Sequence, residues 1–385
     1  MKPANEVLSG YGTTVFEIMS RLAIEHETVN LGQGFPDEGG PESLMRVADE
    51  ATRQYSNQYP PMMGIPELRQ AIAGHNLRFH GLDCDWQREV MVTSGATEGL
   101  AASLLALINP GDEVVVFEPL YDCYLPMIRR AGGVPRLVRL SPPDWELPRD
   151  KLAAAFSDKT KLVLINTPMN PTGKVFGADE LDFIAELVVR HDAYAVSDEV
   201  YEHLIFDDAR HLPLIARPGM RERCVRIGSA GKTFSMTGWK VGFMTAAPEL
   251  LGVISKAHQF LVFTTPPNLQ RAVAHGLEHE VAWYTGLASE LQQKRDRLSR
   301  ALAEIGFEVL SCPSTYFMNA DFRPLGFDGD DIAFCRHLTI EAGVTLVPVS
   351  ALYAEAGVEH LVRFCFCKQE TVLEEVVSRL RAHFK

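Results

Sequence analysis

No stretch of the 385 residues stays apolar for long enough to cross a bilayer. Residues 1–20 are polar and mixed in charge, without the apolar core of a signal peptide. Basic residues are in deficit: 37 Lys and Arg face 50 Asp and Glu, a net charge of −13, which argues against nucleic acid as the main partner. The seven cysteines are odd in number and lack paired spacing, so they read as reduced thiols in a cytoplasmic protein. Cys365 and Cys367 would share one face of a strand. With no other Cys or His pair at ligand spacing they read as core residues, and no metal site is expected. Internal repeats and low-complexity tracts are absent as well. What is present is an ordinary globular composition, 46% hydrophobic, in a chain long enough for two domains or for one large domain with a smaller one appended.

The segment at residues 227–243, I-G-S-A-G-K-T-F-S-M-T-G-W-K-V-G-F, organises the rest. Ser229, Ala230 and Gly231 let a bulky planar ligand approach the backbone ahead of Lys232, and Lys240 follows between Gly238 and Gly242. This describes an amine at the bottom of a cleft, with a second cation and a hydroxyl near an anionic group. A lysine that forms a Schiff base with an aldehyde cofactor needs that setting. Gly231-Lys232-Thr233 also matches the end of a Walker phosphate loop. However, Arg226 stands where that pattern needs glycine, and residues 233–242 make a poor helix. A plain Gly/Ser turn with surface lysines is the bland alternative, and the other motifs weigh against it.

The spacing of Val15, Ile18, Met19, Leu22 and Ala23 predicts a helix over residues 13–26. In the glycine-rich loop at 29–36, Gly34 either admits a ligand to the backbone or makes a plain turn. Pro41 and Pro66 open further helices, the second closed by Gly81, with a loop at 57–60 between them. From Glu89 onward the pattern repeats strand, loop, helix. Strands are predicted over 90–92, 113–117, 136–140, 161–165 and 194–196, and short apolar runs at 224–227 and 241–246 flank the lysine segment. The turn at 93–97 leads into a helical run to Ile108 and would expose backbone N–H groups to an anion. Thr97, Tyr121, Asn170, Asp198, Tyr201 and Lys232 all follow strands, and open α/β sheets bind ligands at the carboxyl ends of their strands. The reading is α/β: a large, mainly parallel domain over residues 45–279 and a smaller α+β domain built from 1–44 and 280–385.

These residues fit pyridoxal 5'-phosphate. Lys232 would form the imine and, as the freed amine, move a proton. Asp198 would pair with the pyridine nitrogen and keep it protonated, making the ring an electron sink; a helix cap or solvated turn is its alternative. Asn170 and Tyr201 can donate to the ring oxygen, although Asn-Pro turns are common. Tyr121 either stacks on the ring or is a core tyrosine. The backbone at Gly95 and Ala96, with Thr97, Ser229 and Lys240, could hold the phosphate.

Nine motifs, in order and combination, resemble the class I/II aminotransferases of fold type I along nearly the whole chain. They are N-L-G-Q-G-F-P-D (30–37), N-Q-Y (57–59), S-G-A-T-E (94–98), N-T-P-x-N-P-T-G (166–173), S-D-E-V-Y-E (197–202), S-A-G-K-T-F (229–234), T-G-W-K-V-G (237–242), H-Q-F (258–260) and V-R-F-C-F (362–366). The chain looks most like the branch that holds kynurenine aminotransferase, glutamine transaminase K and bacterial methionine aminotransferase; G-T-T-V-F at 12–16 favours the methionine type. The resemblance implies Lys232 as the Schiff-base lysine and supports the roles above for Asp198, Asn170, Tyr201, Tyr121, Ser229 and Lys240. It adds Arg363 as the clamp for the substrate α-carboxylate, which would otherwise read as a surface or structural residue. It places Gly34 on the same site. It has Tyr59 reaching the phosphate of a neighbouring subunit, hence a homodimer with shared active sites. Lys240 stands where the family often has arginine, and Tyr121 where some relatives have phenylalanine.

The implied function is transfer of the amino group of a neutral L-amino acid (methionine, glutamine-like or aromatic) to a 2-oxo acid. No second arginine can be named for a side-chain carboxylate. Phe16 and Phe263 are candidate walls of an apolar side-chain pocket, with a core role as the alternative for each. A carbon–sulfur β-lyase on the same fold would share every residue above. A regulator sensing pyridoxal phosphate would need a DNA-binding domain, for which the first motif at Asn30 leaves no room and the charge is wrong. The expected partners are small molecules and a second copy of the chain, not nucleic acid or a membrane.

Overall fold

Residues 2–355 and 357–385 are described, in a computed structural model. The strands in chain order are β1 (Val29–Asn30), β2 (Val90–Thr93), β3 (Glu113–Glu118), β4 (Val134–Arg139), β5 (Thr160–Asn166), β6 (Tyr194–Asp198), β7 (Cys224–Ser229), β8 (Gly242–Thr245), β9 (Glu308–Val309), β10 (Phe317–Asp321), β11 (Val344–Thr345), β12 (Val347–Pro348) and β13 (Leu361–Cys365). The central sheet has the order β2-β8-β7-β6-β5-β3-β4. Its strands pair in parallel from β7 to β4, while β8 runs antiparallel to both β2 and β7. The sheet is therefore mainly parallel, as the alternating pattern predicts.

Helices cover both faces of this sheet, so its middle strands need not alternate with polar residues; all of E-V-V-V-F-E in β3 is buried. The period of two still sorts their side chains. Val115, Phe117, Val163 and Ile165 pack with Phe176 and Leu181 on one face. Val114, Val116, Leu162 and Leu164 pack with Leu100 and Ile254 on the other. The helix Pro66–His80 opens on its proline and stops at Gly81, which takes the left-handed φ of 63°. The helix Gly95–Leu107 starts at Gly95 itself, inside the stretch expected as a turn. Glu98 Oε2 accepts from Ser94 N at 3.1 Å and closes the first turn early.

The amino-terminal segment packs on the carboxy-terminal part. β1 pairs in parallel with β11, Val29 opposite Val344, and Met19 and Leu31 share a core with Leu298, Phe364 and Leu380. The sheet β12-β13-β10-β9 is antiparallel. The helix Val281–Ile305 joins the two regions, with Tyr284 in a core around Phe234 and Leu291 and Leu298 in the other. No described helix is long and apolar enough to cross a membrane.

A buried charge cluster lies beside β6 and β7. Arg226, with no exposed surface, donates to Glu199 Oε2 at 2.7 Å, to Asn76 Oδ1 at 2.9 Å and to Glu202. His80 Nε2 lies 2.5 Å from Glu202 Oε2, His211 Nε2 lies 2.9 Å from Glu199 Oε2, and His75 and His203 meet at their Nε2 atoms, 2.7 Å apart. Burial pushes His75 down to about 3 and His203 down to about 4. Burial, and then the Arg226 charge, lower His80 as well. Against their burial, Arg226 and the nearby histidines hold Glu199 at about 2 and Glu202 well below the usual carboxylate range.

The sign of the resulting pH dependence follows. Below the ordinary histidine value of 6.5 the unfolded chain takes up protons that folded His75 and His203 refuse. Stability therefore falls as pH falls from 6.5 toward about 4, and Glu199 and Glu202 add to the loss below 4.5. Asp198 and Asp331, which burial raises to about 6, act in the opposite sense, so the diagnostic is a Tm that falls less below about pH 7 in His75→Gln, whose amide takes up no proton, than in the unsubstituted protein. A drop as steep in His75→Gln as in the unsubstituted protein would show that His75 is not held neutral.

Candidate active site

Loops at the carboxyl ends of the parallel strands enclose a cavity of about 430 Å³. Lys232 sits in a single helical turn, Ala230–Thr233, directly after β7. Its Nζ donates to Tyr316 Oη at 2.7 Å and to Gly34 O at 3.3 Å, and Tyr316 Oη donates to the same carbonyl at 2.9 Å. Burial lowers the lysine pKa, opposed by the nearby Cys367, Cys365 and Asp198, so the free amine is more populated than on an exposed lysine.

Asp198 is the last residue of β6. Tyr124 Oη donates to its Oδ2 at 2.7 Å, while Oδ1 is buried without a partner among the described residues. Burial raises this carboxyl to about 6, despite the bonds from Tyr124 and the Val200 backbone. The site thus holds a desolvated acceptor that a cationic N–H would satisfy. Tyr201, also buried, has its ring centroid 5.5 Å from Lys232 Nζ. Asn166 locks the two turns together: its Nδ2 donates to Asp198 O at 2.9 Å, and its Oδ1 accepts from Asn170 N at 2.8 Å.

Arg363, on β13, is only 1% exposed. Its Nη1 donates to Asn170 Oδ1 at 2.9 Å, its Nη2 donates to Gly32 O at 2.8 Å, and its Nε has no partner among the described residues. The guanidinium lies 4.0 Å from the ring centroid of Phe317 and 5.1 Å from that of Phe16. Phe317 presses on Gly34 from the other side. A Cβ on Gly34 would stand 2.6 Å from Phe317 Cζ, so a side chain there would displace the ring that backs Arg363.

At the opposite end, the helix Gly95–Leu107 presents the free N–H groups of its first turn, Gly95, Ala96 and Thr97. Gly95 has φ +74°, and a Cβ on it would stand 3.1 Å from Lys240 Nζ. β8 starts at Gly242, where a Cβ would lie 2.5 Å from the carbonyl carbon of Gly95. Two bare backbones in close approach thus bring a lysine to a helix N-terminus. His258 steadies this end: its Nδ1 lies 3.0 Å from Glu98 Oε1 and its Nε2 3.0 Å from Met62 O.

Gly34, Gly95, Ala96, Thr97, Tyr121, Asn170, Asp198, Tyr201, Ser229, Lys232, Lys240 and Arg363 all line this one cavity. Tyr59 does not: it is 82% exposed, edge-on to Phe263 with ring centroids 5.3 Å apart. Phe16 forms part of the wall, and Phe263 lies outside its own chain's cavity, beside Tyr59. It closes the end of the helix Pro248–Leu261 against the Tyr59 loop, and the chain does not carry either ring back to Lys232. Sequence reasoning missed Tyr124, Asn166, Tyr316 and Phe317. Asn166 had a signal, as the first residue of the N-T-P-x-N-P motif. Tyr124 and Tyr316 had none, because each is identified only by its contact with a residue far along the chain.

The family "Aminotransferase class I and II" is matched over residues 26–380. A probable N-succinyldiaminopimelate aminotransferase of Mycobacterium tuberculosis is 45% identical over 384 residues, covering 97% of this chain and 96% of the relative. The Escherichia coli methionine aminotransferase is 40% identical over 370 residues, covering 96% of each. Human kynurenine–oxoglutarate transaminase 1 is 34% identical over 394 residues, covering 94% of this chain and 93% of the relative. Solved structures of the mycobacterial and E. coli enzymes superpose with a TM-score of 0.96 each, at 45% and 40% identity, each covering 99% of this chain and 100% of the solved one.

The approach of Gly242 to Gly95 is directly testable. Gly242→Ala forces a methyl group into a backbone, so urea unfolding is expected to show a loss of about 1–3 kcal/mol. An unchanged midpoint would mean that the strand and the turn are not in contact.

Proposed function

The chain belongs to the aminotransferase class I and II family and is a transaminase, and we propose that it moves the amino group of a neutral L-amino acid to a 2-oxo acid with pyridoxal 5'-phosphate as cofactor. The donor side chain would be methionine, glutamine-like or aromatic. The observation that carries this is one cavity lined by a buried amine, a buried carboxylate oxygen without a partner and a buried guanidinium with an unused N–H.

The residues fit that cofactor. Asp198 Oδ1 would accept the ring N–H, whose positive charge would bring the carboxyl back down from the value of about 6 that burial imposes. Tyr201 and Asn170 would hold the ring oxygen, and Tyr121 would cover the ring. The first-turn N–H groups of Gly95, Ala96 and Thr97, with Ser229 and Lys240, would take the phosphate. When bound, the cofactor supplies an aldehyde carbon for an amine and a ring that accepts an electron pair from the substrate Cα. Lys232, as the free amine that burial favours, would carry the Cα proton. Arg363 would fork onto the α-carboxylate, with Gly34 leaving room beside it.

The donor reading rests on the walls. Phe16, Tyr121 and Phe317 are aromatic, and Arg363 is the only arginine among the described residues lining the cavity. Tyr59, outside its own chain's cavity and exposed, is available to a second copy, so a homodimer with shared sites is part of the proposal. So is the division of the chain into a unit at residues 45–279 and a unit made of 1–44 and 280–385.

A donor panel tests the reading, with N-succinyldiaminopimelate among the donors because one relative carries its name. Methionine, glutamine and aromatic donors are expected to lead; aspartate and glutamate outperforming them would reject the neutral pocket. Lys232→Ala is expected to abolish turnover, and near wild-type rates would reject it as the reactive amine. Asp198→Asn should keep the fold and lose orders of magnitude in kcat, since an amide cannot hold a protonated ring nitrogen. Arg363→Lys should cut kcat/KM for amino acids roughly ten- to a hundredfold, because lysine offers no planar fork, with far smaller losses for amines that lack a carboxylate. Equal losses for both would remove Arg363 from the carboxylate.

A further inference from the structure

The strand that carries Arg363 also carries two thiols on the same side. Side chains alternate along β13, so Arg363 and Cys365 share a face, and Cys367 continues that row just past the strand. The two sulfurs lie 3.3 Å apart, with Cys365 at 0% and Cys367 at 4% exposure. Neither lines the active-site cavity. Cys367 instead borders a small void shared with Pro36, Lys232 and Tyr316. Against burial, the Cys367 thiol and the Lys368 and Arg363 charges hold the Cys365 thiol down to about 7.

We propose that Cys365 and Cys367 form an oxidative modification site, closed by a peroxide into a disulfide that loosens the Arg363 clamp. The Cys365 thiolate attacks one peroxide oxygen, the O–O bond breaks, and the departing oxygen leaves as water after taking a proton. Cys365 is left as a sulfenic acid. Cys367 gives up its proton and attacks that sulfur; the S–S bond forms and the sulfenic oxygen departs as the second water. Two thiols are oxidised and one peroxide is reduced.

The link to the clamp is a set of straps. Cys365 N donates to Leu31 O at 2.9 Å, and Asp37 N donates to Cys367 O at 3.4 Å. Lys368 Nζ donates to Phe35 O and to Asp37 Oδ1, each at 3.0 Å. The loop so held carries Gly32 O, an acceptor for Arg363, and Gly34 O, an acceptor for Lys232. A disulfide needs its sulfurs about 2.05 Å apart. Closing the gap from 3.3 Å pulls on the Cys365–Lys368 segment and, through the straps, on the acceptors that orient Arg363. The anion cradle at Gly95 and Lys240 is on other elements and is untouched.

The covalent part of this proposal stands apart from the transaminase reading; the kinetic part rests on Arg363 holding the donor carboxylate. The test treats the holoenzyme with hydrogen peroxide, blocks free thiols, and weighs the peptide containing both cysteines without reductant. The expected peptide is unblocked and lighter by two hydrogen atoms. Donor KM should rise roughly ten- to a hundredfold, and dithiothreitol should restore both mass and KM. Cys367→Ser should keep the untreated rates and lose the peroxide response. Two free thiols after treatment, addition of oxygen atoms that dithiothreitol does not remove, or oxidation confined to the half-buried Cys84 and Cys123 would overturn the site. A disulfide that forms while KM stays constant would overturn its coupling to the clamp, provided Arg363→Lys does raise KM. If that variant leaves KM unchanged too, the carboxylate assignment has failed and not the thiol site.

Discussion

A guanidinium sealed from water holds the centre of this protein. Arg226 projects from β7 and ties down Glu199 and Glu202, the residues on either side of the turn that presents Val200 and Tyr201 and follows directly on Asp198. Taking three charges out of water is expensive, and the arrangement persists because all three guanidinium nitrogens are occupied and Asn76, His80 and His211 close around the two carboxylates, although Glu202 Oε1 and His211 Nδ1 have no partner among the described residues. Removing one member would strand the others, a loss of about 3–5 kcal/mol for a broken buried pair. The network is thus a stiff mount. With Glu199 and Glu202 immobile, the carboxylate of Asp198 and the phenol of Tyr201 have little freedom in where they point.

The cavity has a polarity that follows from how it is assembled. One end is built by backbone: a helix N-terminus and two glycines in close approach, with Lys240 added from a left-handed turn. That end suits a dianion, because free N–H groups and an ammonium cluster where no side chain intervenes. The middle is built by buried side chains whose charged forms are strained by desolvation: the amine of Lys232 is pushed toward its free form and the carboxyl of Asp198 toward its acid. The far end belongs to segments from both chain termini. Gly32 and Gly34 on one side and Arg363 on the other meet there, backed by Phe317.

How much of this was legible varies with how local each feature is. The strands of the central sheet and the helices at 15–25 and 66–80 were readable to within a few residues, because runs such as E-V-V-V-F-E and punctuation such as Gly81 act over a few positions. The early start of the helix at Gly95 was not, since it depends on Glu98 folding back onto Ser94 while His258 holds it from another helix. Arg363 needed a family resemblance, because an isolated arginine in an apolar strand carries no local signal.

The amino-acid sequence by itself determined the alternating α/β plan and singled out Lys232, Asp198 and Asn170, since small residues before a lysine and turns after apolar strands are properties of neighbouring positions. Only the tertiary structure decided their settings. Tyr124 reaches Asp198 across 74 positions, Tyr316 reaches Lys232 across 84, and Arg363 reaches Asn170 across 193. The pKa values and the unpaired oxygen depend on burial and on contacts between distant segments. Those come into being only when the chain packs, because desolvation and Coulomb interactions act through space and not along the sequence.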